Sequence, residues 1–139
     1  MAALRTTLFL FAAVCLALGT QAARAAELVM FEKDGCPWCA RWHTEIGAGY
    51  PHSDEGKRAP LRVVKSADES ATGIALRGPV TLSPTFVLVD KGQEIGRIVG
   101  YPGAEFFYGL LAPLLQKLDK AAALRSNGRA VATQKTSRT

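Results

Sequence analysis

The sequence predicts an α/β domain with a central mixed sheet, and three observations predict it. Short apolar runs at 28–31, 61–64 and 86–89 have the length and β-branched content of strands. A helical segment separates the first two, which makes them a parallel pair, whereas only a tight turn separates the third from a fourth run at 94–99. The chain then closes on an amphipathic helix. The predicted order is β-α-β-(α)-β-β-α.

Taken in order, residues 27–32 form the first strand. Asp34-Gly35 supplies a turn, and Pro37 follows Cys36 at the first helical position, where the amide proton it lacks would have no partner. Cys36 is thereby placed at the N-cap, facing free N–H groups and the positive end of the helix dipole, both of which favour a thiolate. The helix runs to about Ile46 and stops at Gly47-Ala48-Gly49. Cys39, Trp42 and Ile46 share its core face, so Cys39 is the more buried sulfur, one turn from Cys36 and able to bond to it. Residues 47–60 are rich in Gly, Pro and charge; a connection of that length is either functional or hides a short helix, which Ser53-Asp54-Glu55 can begin.

The strand at 61–64 is reached by a right-handed crossover, and residues 67–76 carry enough Ala, Ile and Leu for a short helix. Ser83-Pro84-Thr85 then opens the strand Phe86 to Val89. Asp90-Lys91-Gly92-Gln93 turns it into Glu94 to Val99. After Tyr101-Pro102-Gly103 a last helix carries Phe107, Leu110, Leu111, Leu114, Leu118 and Ala122 on one stripe, with Pro113 expected to kink or break it. Beyond about Leu124 the composition turns polar, so residues 123–139 read as a disordered tail.

The first residues read differently. Arg5 is a short positive n-region, Leu8 to Leu18 an apolar h-region too short for a comfortable membrane span, and Ala23-Arg24-Ala25 a small-x-small cleavage site. Residues 1–25 are therefore expected to be a cleaved secretory signal, residues 26–122 the folded domain, and the mature protein periplasmic. Of the three cysteines Cys15 lies in the h-region, which leaves Cys36 and Cys39. So close a pair gains little as a structural staple, and a redox role is the better reading. Removing Arg5 and Arg24 also lowers the net charge from +5 to +3. No alternation of basic and aromatic residues marks a nucleic-acid surface.

The C-x-x-C at the end of the first strand, Ser-Pro-Thr before the third and Gly-Tyr-Pro-Gly-Ala-Glu-Phe-Phe after the fourth resemble the thioredoxin superfamily over roughly residues 27–120, without the strand and helix that precede the motif in full-length thioredoxins. More narrowly, FEKDGCPWCARWHTEIGAGYP, RAPLR and SPTFVLVDKGQEIGRIVGYPGAEFFYGLL resemble the exported thioredoxin-like proteins of bacterial Sox sulfur-oxidation systems, the SoxS type. The resemblance implies a thioredoxin-like fold and a monomeric thiol-disulfide oxidoreductase without cofactor or metal, reducing a disulfide or persulfide on a partner such as a Sox sulfur-carrier protein. Export argues against glutathione, so a membrane-delivered reductant is implied. Cys36 attacks and Cys39 resolves. Pro84 corresponds to the superfamily's cis-proline, presenting the Ser83 backbone to an extended substrate with Thr85 beside it; the local sequence alone allows equally a trans proline starting an edge strand. Trp38 flanks Cys36 as a partner contact or packs on a neighbouring loop.

One position departs from the pattern. Thioredoxins proper keep a buried aspartate six residues before the first cysteine, and here that residue is Met30. Glu32, two residues on, is the candidate proton relay, with a solvated strand-end charge as the plainer alternative. Pro37-Trp38 is closest to the Pro-Tyr of glutaredoxins, which leaves the potential open and keeps a DsbA-like disulfide donor as an alternative. Two rivals come from other classes. Cys36, Cys39, His43 and His52 have the count for tetrahedral zinc, and a partner-binding module without turnover would keep the same surface.

Overall fold

The computed structural model describes residues 26–136, with side chains as far as residue 129; the expected signal segment, residues 1–25, lies outside the described residues. Strand β1 is Glu27–Glu32, and helix α1, Pro37–Trp42, continues into a wider π-helical turn, His43–Gly47. The connection that follows is built, not loose. A 3-10 turn, Tyr50–His52, leads to α2, Asp54–Arg58, whose N-cap Ser53 accepts the Gly56 N–H at 3.0 Å. Tyr50 is fully buried and donates its hydroxyl to Ala59 O at 2.9 Å, and burial raises its phenol pKa. Gly56 is required here, because a Cβ would lie 1.8 Å from Tyr50 O.

Strand β2, Leu61–Lys65, pairs parallel with β1. Residues 66–72, expected to belong to a short helix over 67–76, form a 3-10 helix that ends at Gly73 with φ 68°. Strands β3, Thr85–Asp90, and β4, Gln93–Val99, form the hairpin, with Lys91 and Gly92 both at positive φ as a two-residue turn between right-twisted strands demands. The sheet order is β2-β1-β3-β4, and β3 runs antiparallel to both neighbours. This is the predicted mixed sheet.

Both central strands are buried on two faces, and side-chain alternation splits them into two clusters. Leu28, Met30, Phe86 and Leu88 meet Cys39 and Trp42 of α1, Ile46 of the π-helical turn, and Phe107, Leu111, Leu114 and Leu115 of the last helix. At the centre the Phe86 and Phe107 rings cross edge-to-face at 4.9 Å, and Trp42 lies 5.3 Å from Phe86. Val29, Phe31, Val87 and Val89 face the other way, against Val80, Ile74 and Leu76 of the 66–84 segment.

The last helix, α3, is Ala104–Thr136, longer than the sequence expectation. Pro113 does not divide it: the buried Leu111, Leu114 and Leu115 hold both sides against the sheet, which outweighs the roughly 3 kcal/mol an interior proline costs. Nor does a disordered tail begin at residue 123. The backbone stays helical to Thr136 because Ala, Leu, Arg, Gln and Lys make up most of that stretch and Gly128 is its one strong breaker. Arg125 also pairs with the buried Asp90 at 2.6 Å.

The second face carries a buried ion pair. The β3–β4 ladder skips Ile95, a bulge that turns Glu94 to the side of Arg97. Arg97 donates to both Glu94 carboxylate oxygens at 2.8 and 2.6 Å and also to Gly78 O and Pro79 O, while the Arg77 N–H donates to Glu94. The hydrogen bonds from Arg97 outweigh burial and hold the Glu94 carboxyl below the usual range. Arg97→Met leaves this charge buried without its partner, and a stability loss of about 3 kcal/mol in urea denaturation at pH 7 is expected. Because the folded pKa is lowered, the paired carboxylate stabilises fully above the ordinary range and less as pH falls through the folded value. The difference between wild type and variant therefore narrows in acid.

Candidate active site

The site forms where β1 ends. Glu32 is followed by an exposed turn with Gly35 at φ 68°, and the chain enters α1 with Cys36 as N-cap at φ −74°, ψ 110° and Pro37 inside the first turn. The Cys36 sulfur accepts the Cys39 N–H at 3.1 Å. Cys36 and Cys39 are joined as a disulfide, with Cα atoms 5.3 Å apart. Their exposures differ as expected: Cys36 is half-buried, and Cys39 is 3% exposed within the main core.

The antiparallel pairing of β1 with β3 brings the start of β3 beside this turn, with Phe31 opposite Thr85. The Ser83–Pro84 peptide bond is cis. Pro84 is buried, and its carbonyl accepts the Gly100 N–H at 2.7 Å. The Ser83 hydroxyl accepts the Lys33 N–H at 2.9 Å and lies 3.3 Å from the Cys39 sulfur. Thr85, expected to help align a substrate, is buried at 1% exposure, and its hydroxyl donates to Leu82 O at 2.8 Å. It braces the loop from inside; being the first residue of a strand buried on both faces, it has no outward face.

Trp38 stands at the surface, 53% exposed, beside the disulfide. Arg41 lies over its ring at 5.8 Å and donates to Glu45 at 2.7 Å. The Tyr101 hydroxyl donates to the other Glu45 oxygen at 2.6 Å. A surface aromatic is thus tied through two side chains to the loop before α3. Leu82, 61% exposed on the loop leading to Ser83, is a further apolar group that the sequence reading missed. Its signal was an apolar residue placed just before the Ser-Pro step, two residues after Val80.

Glu32 is neither a neutral buried acid nor a solvated charge. Its oxygens meet His43 Nε2 and Lys65 Nζ, each at 2.9 Å, and Lys65 also reaches Asp34 at 2.7 Å. Burial alone raises the Glu32 carboxyl, but the bonds to His43 and Lys65 together outweigh it and leave the pKa below the ordinary value. Lys65 is raised by its bonds to Asp34 and then Glu32. These groups line a cleft that also reaches Cys36, Pro37 and Cys39. Met30, at the position of the missing acid, is fully buried against Cys39 and Trp42. The four residues of the zinc reading do not converge: the sulfurs are bonded to each other, His43 turns to Glu32, and no group of three or more His, Cys, Asp or Glu side chains is arranged to hold a metal ion among the described residues.

The chain is similar to solved thioredoxin structures. The periplasmic thioredoxin SoxS from Paracoccus pantotrophus, in its reduced form, shares 45% identity over 67% of this chain and 98% of its own, with a TM-score of 0.65. The chain belongs to the thioredoxin superfamily and is of the SoxS type. A thioredoxin from Thermus thermophilus is 28% identical over 72% of this chain and 80% of its own, with a TM-score of 0.52. No protein-family model and no curated protein matches the chain. With its Cys36–Cys39 disulfide, this SoxS-type chain is a thiol-disulfide oxidoreductase.

The Glu45 bridge makes a prediction. Burial, reinforced by the bond to Glu45, pushes the Tyr101 phenol up to about 12. In an NMR titration of its ring Tyr101 should keep its proton until about pH 12, and Glu45→Gln should lower that midpoint, since the carboxylate charge opposes tyrosinate.

Proposed function

We propose that the protein acts in the periplasm as a reductant for a disulfide or persulfide on a partner protein of the sulfur-carrier kind. The observation that carries this reading is the 45% identity to a periplasmic thioredoxin SoxS, spanning 98% of that chain. The export-signal composition of residues 1–25 supports the location.

In the reduced protein the Cys36 thiolate attacks one sulfur of the partner disulfide, and the other partner sulfur leaves as thiolate. Cys39 then attacks the Cys36 sulfur, the partner thiolate leaves, and the Cys36–Cys39 bond forms; two electrons have passed to the partner. A persulfide is opened in the same way, its outer sulfur leaving as hydrosulfide. The Cys39 N–H already aimed at Cys36 favours the attacking thiolate. Ser83, ahead of cis-Pro84, offers its backbone to an extended partner segment, strand to strand, while Trp38 and Leu82 supply apolar contact on either side. Glu32, held ionised by His43 and Lys65, orders the cleft beside the sulfurs and exchanges protons with water there. A membrane-delivered reductant restores the dithiol, and the protein works as a monomer.

Cys36→Ser is expected to abolish reduction of a protein disulfide, and Cys39→Ser to accumulate a mixed disulfide with the partner on a non-reducing gel. The direction of transfer follows from the reduction potential, measured against a thiol buffer with tryptophan fluorescence as readout. A value near thioredoxin's, roughly −270 mV, is expected; one near that of DsbA, roughly −120 mV, would make the protein a disulfide donor.

A further inference from the structure

We propose that the side-chain hydroxyl of Ser83 is a catalytic hydrogen-bond donor to Cys39, steadying the negative charge on that sulfur each time the Cys36–Cys39 bond opens or closes. The inference rests on the exchange chemistry above, not on the identity of the partner. Its starting point is a sulfur that must carry charge out of water. When an incoming thiolate bonds to the Cys36 sulfur, the Cys36–Cys39 bond breaks and its electron pair goes to Cys39; one negative charge has moved from the incoming sulfur to a residue 3% exposed. Closing the bond runs the same step backwards. A charge buried without a donor is costly.

The Ser83 hydroxyl is placed to supply that donor. Its oxygen lies 3.3 Å from the Cys39 sulfur, within reach of an O–H···S bond. The Lys33 N–H donates to the same oxygen at 2.9 Å, which turns the hydroxyl proton away from Lys33. Two acceptors remain, Phe31 O at 3.4 Å and the Cys39 sulfur. With Cys39 bonded to Cys36 the carbonyl competes; with Cys39 as thiolate the charged sulfur is the stronger acceptor, and the proton swings to it. Ser83 keeps its proton throughout. The oxygen is held in place by the loop around it, through Thr85 Oγ1 to Leu82 O at 2.8 Å and Gly100 N to Pro84 O at 2.7 Å.

The charged groups nearby do not take this role. Glu32, Lys33, Asp34, His43 and Lys65 line the cleft that reaches Cys39. Two of them are carboxylates, which oppose a second negative charge, Lys65 and His43 are engaged by those carboxylates, and the Lys33 ammonium donates to Thr81 O at 3.4 Å. Arg41 on the outer side of α1 is engaged by Glu45, itself bonded by Tyr101.

The test compares Ser83→Ala with the near-isosteric pair Ser83→Thr and Ser83→Val, which differ from each other by one hydroxyl and keep the question answerable if the alanine variant folds poorly. Cys39 is titrated in the reduced protein through its Cβ NMR shift, and opening of the disulfide by dithiothreitol is followed at pH 7 by tryptophan fluorescence. In the Ala and Val variants the Cys39 thiol should titrate about one pH unit or more higher, and opening should slow about tenfold or more, as befits a lost bond to a charged group. Ser83→Thr should stay close to wild type in both. If Ala and Val leave the Cys39 titration where it is in the wild type, the proposal falls, whatever happens to activity on proteins. If the titration shifts while the wild type reduces no carrier protein, the Ser83 role stands and the partner assignment falls.

Discussion

The antiparallel pairing of β1 with β3 is the constraint on which the site depends. Because the two strands run in opposite directions in one register, the end of β1 and the start of β3 lie side by side, with Phe31 opposite Thr85. Whatever follows Phe31 therefore faces whatever precedes Thr85. On one strand that is the turn into Cys36, on the other it is Ser83-Pro84. The hydrogen bond from Lys33 N–H to the Ser83 hydroxyl joins the two across 50 residues of sequence. A one-residue slip of β3 against β1 would turn Val87 and Val89 out of the cluster they share with Val29 and Phe31, and would shift the two loops out of alignment.

The same pairing explains why the site is rigid where the chemistry occurs and open where a partner must dock. β1 and β3 are buried on both faces, so the backbone carrying Cys36 and Ser83 is anchored by two clusters. The groups that project from it, Trp38 and Leu82, are more than half exposed. Trp38 is nevertheless not loose. Arg41, Glu45 and Tyr101 connect it to the segment before α3, so its ring has a preferred orientation before any partner arrives.

What could be read in the sequence was local. The Cys36 N-cap, the Pro37 first turn and the Asp90 to Gln93 hairpin each depend on a few adjacent residues whose conformational preferences agree. The split between an accessible Cys36 and a buried Cys39 followed from helical spacing alone. Contacts set by register were not legible in the same way. Glu32 meets Lys65 because the parallel β1–β2 ladder places them opposite each other, and it meets His43 because the π-helical turn after α1 carries that side chain back to the strand end. Thr85 belonged by composition with Ser83 and Pro84, yet being the first residue of a fully buried strand turns it inward. At the C-terminal end polarity suggested disorder, but polarity and helix propensity are separate properties, and Ala, Arg, Gln and Lys have the second along with the first.

The length of α3 has a consequence of its own. Its first four turns lean on the sheet through Phe107, Leu111, Leu114 and Leu115, whereas residues 122–129 are exposed, with Leu124 73% accessible and Arg125 reaching back to Asp90. One continuous helix thus contains two regimes of stability. The amides of the first part are released to solvent hydrogen only when the whole domain opens, while those of the far part exchange through end-fraying, since a helical stretch without a packed face is marginal in water. Far-ultraviolet ellipticity would then decline on warming before the near-ultraviolet signal of the buried aromatic cluster changes, and a single midpoint would describe the core but not the whole chain.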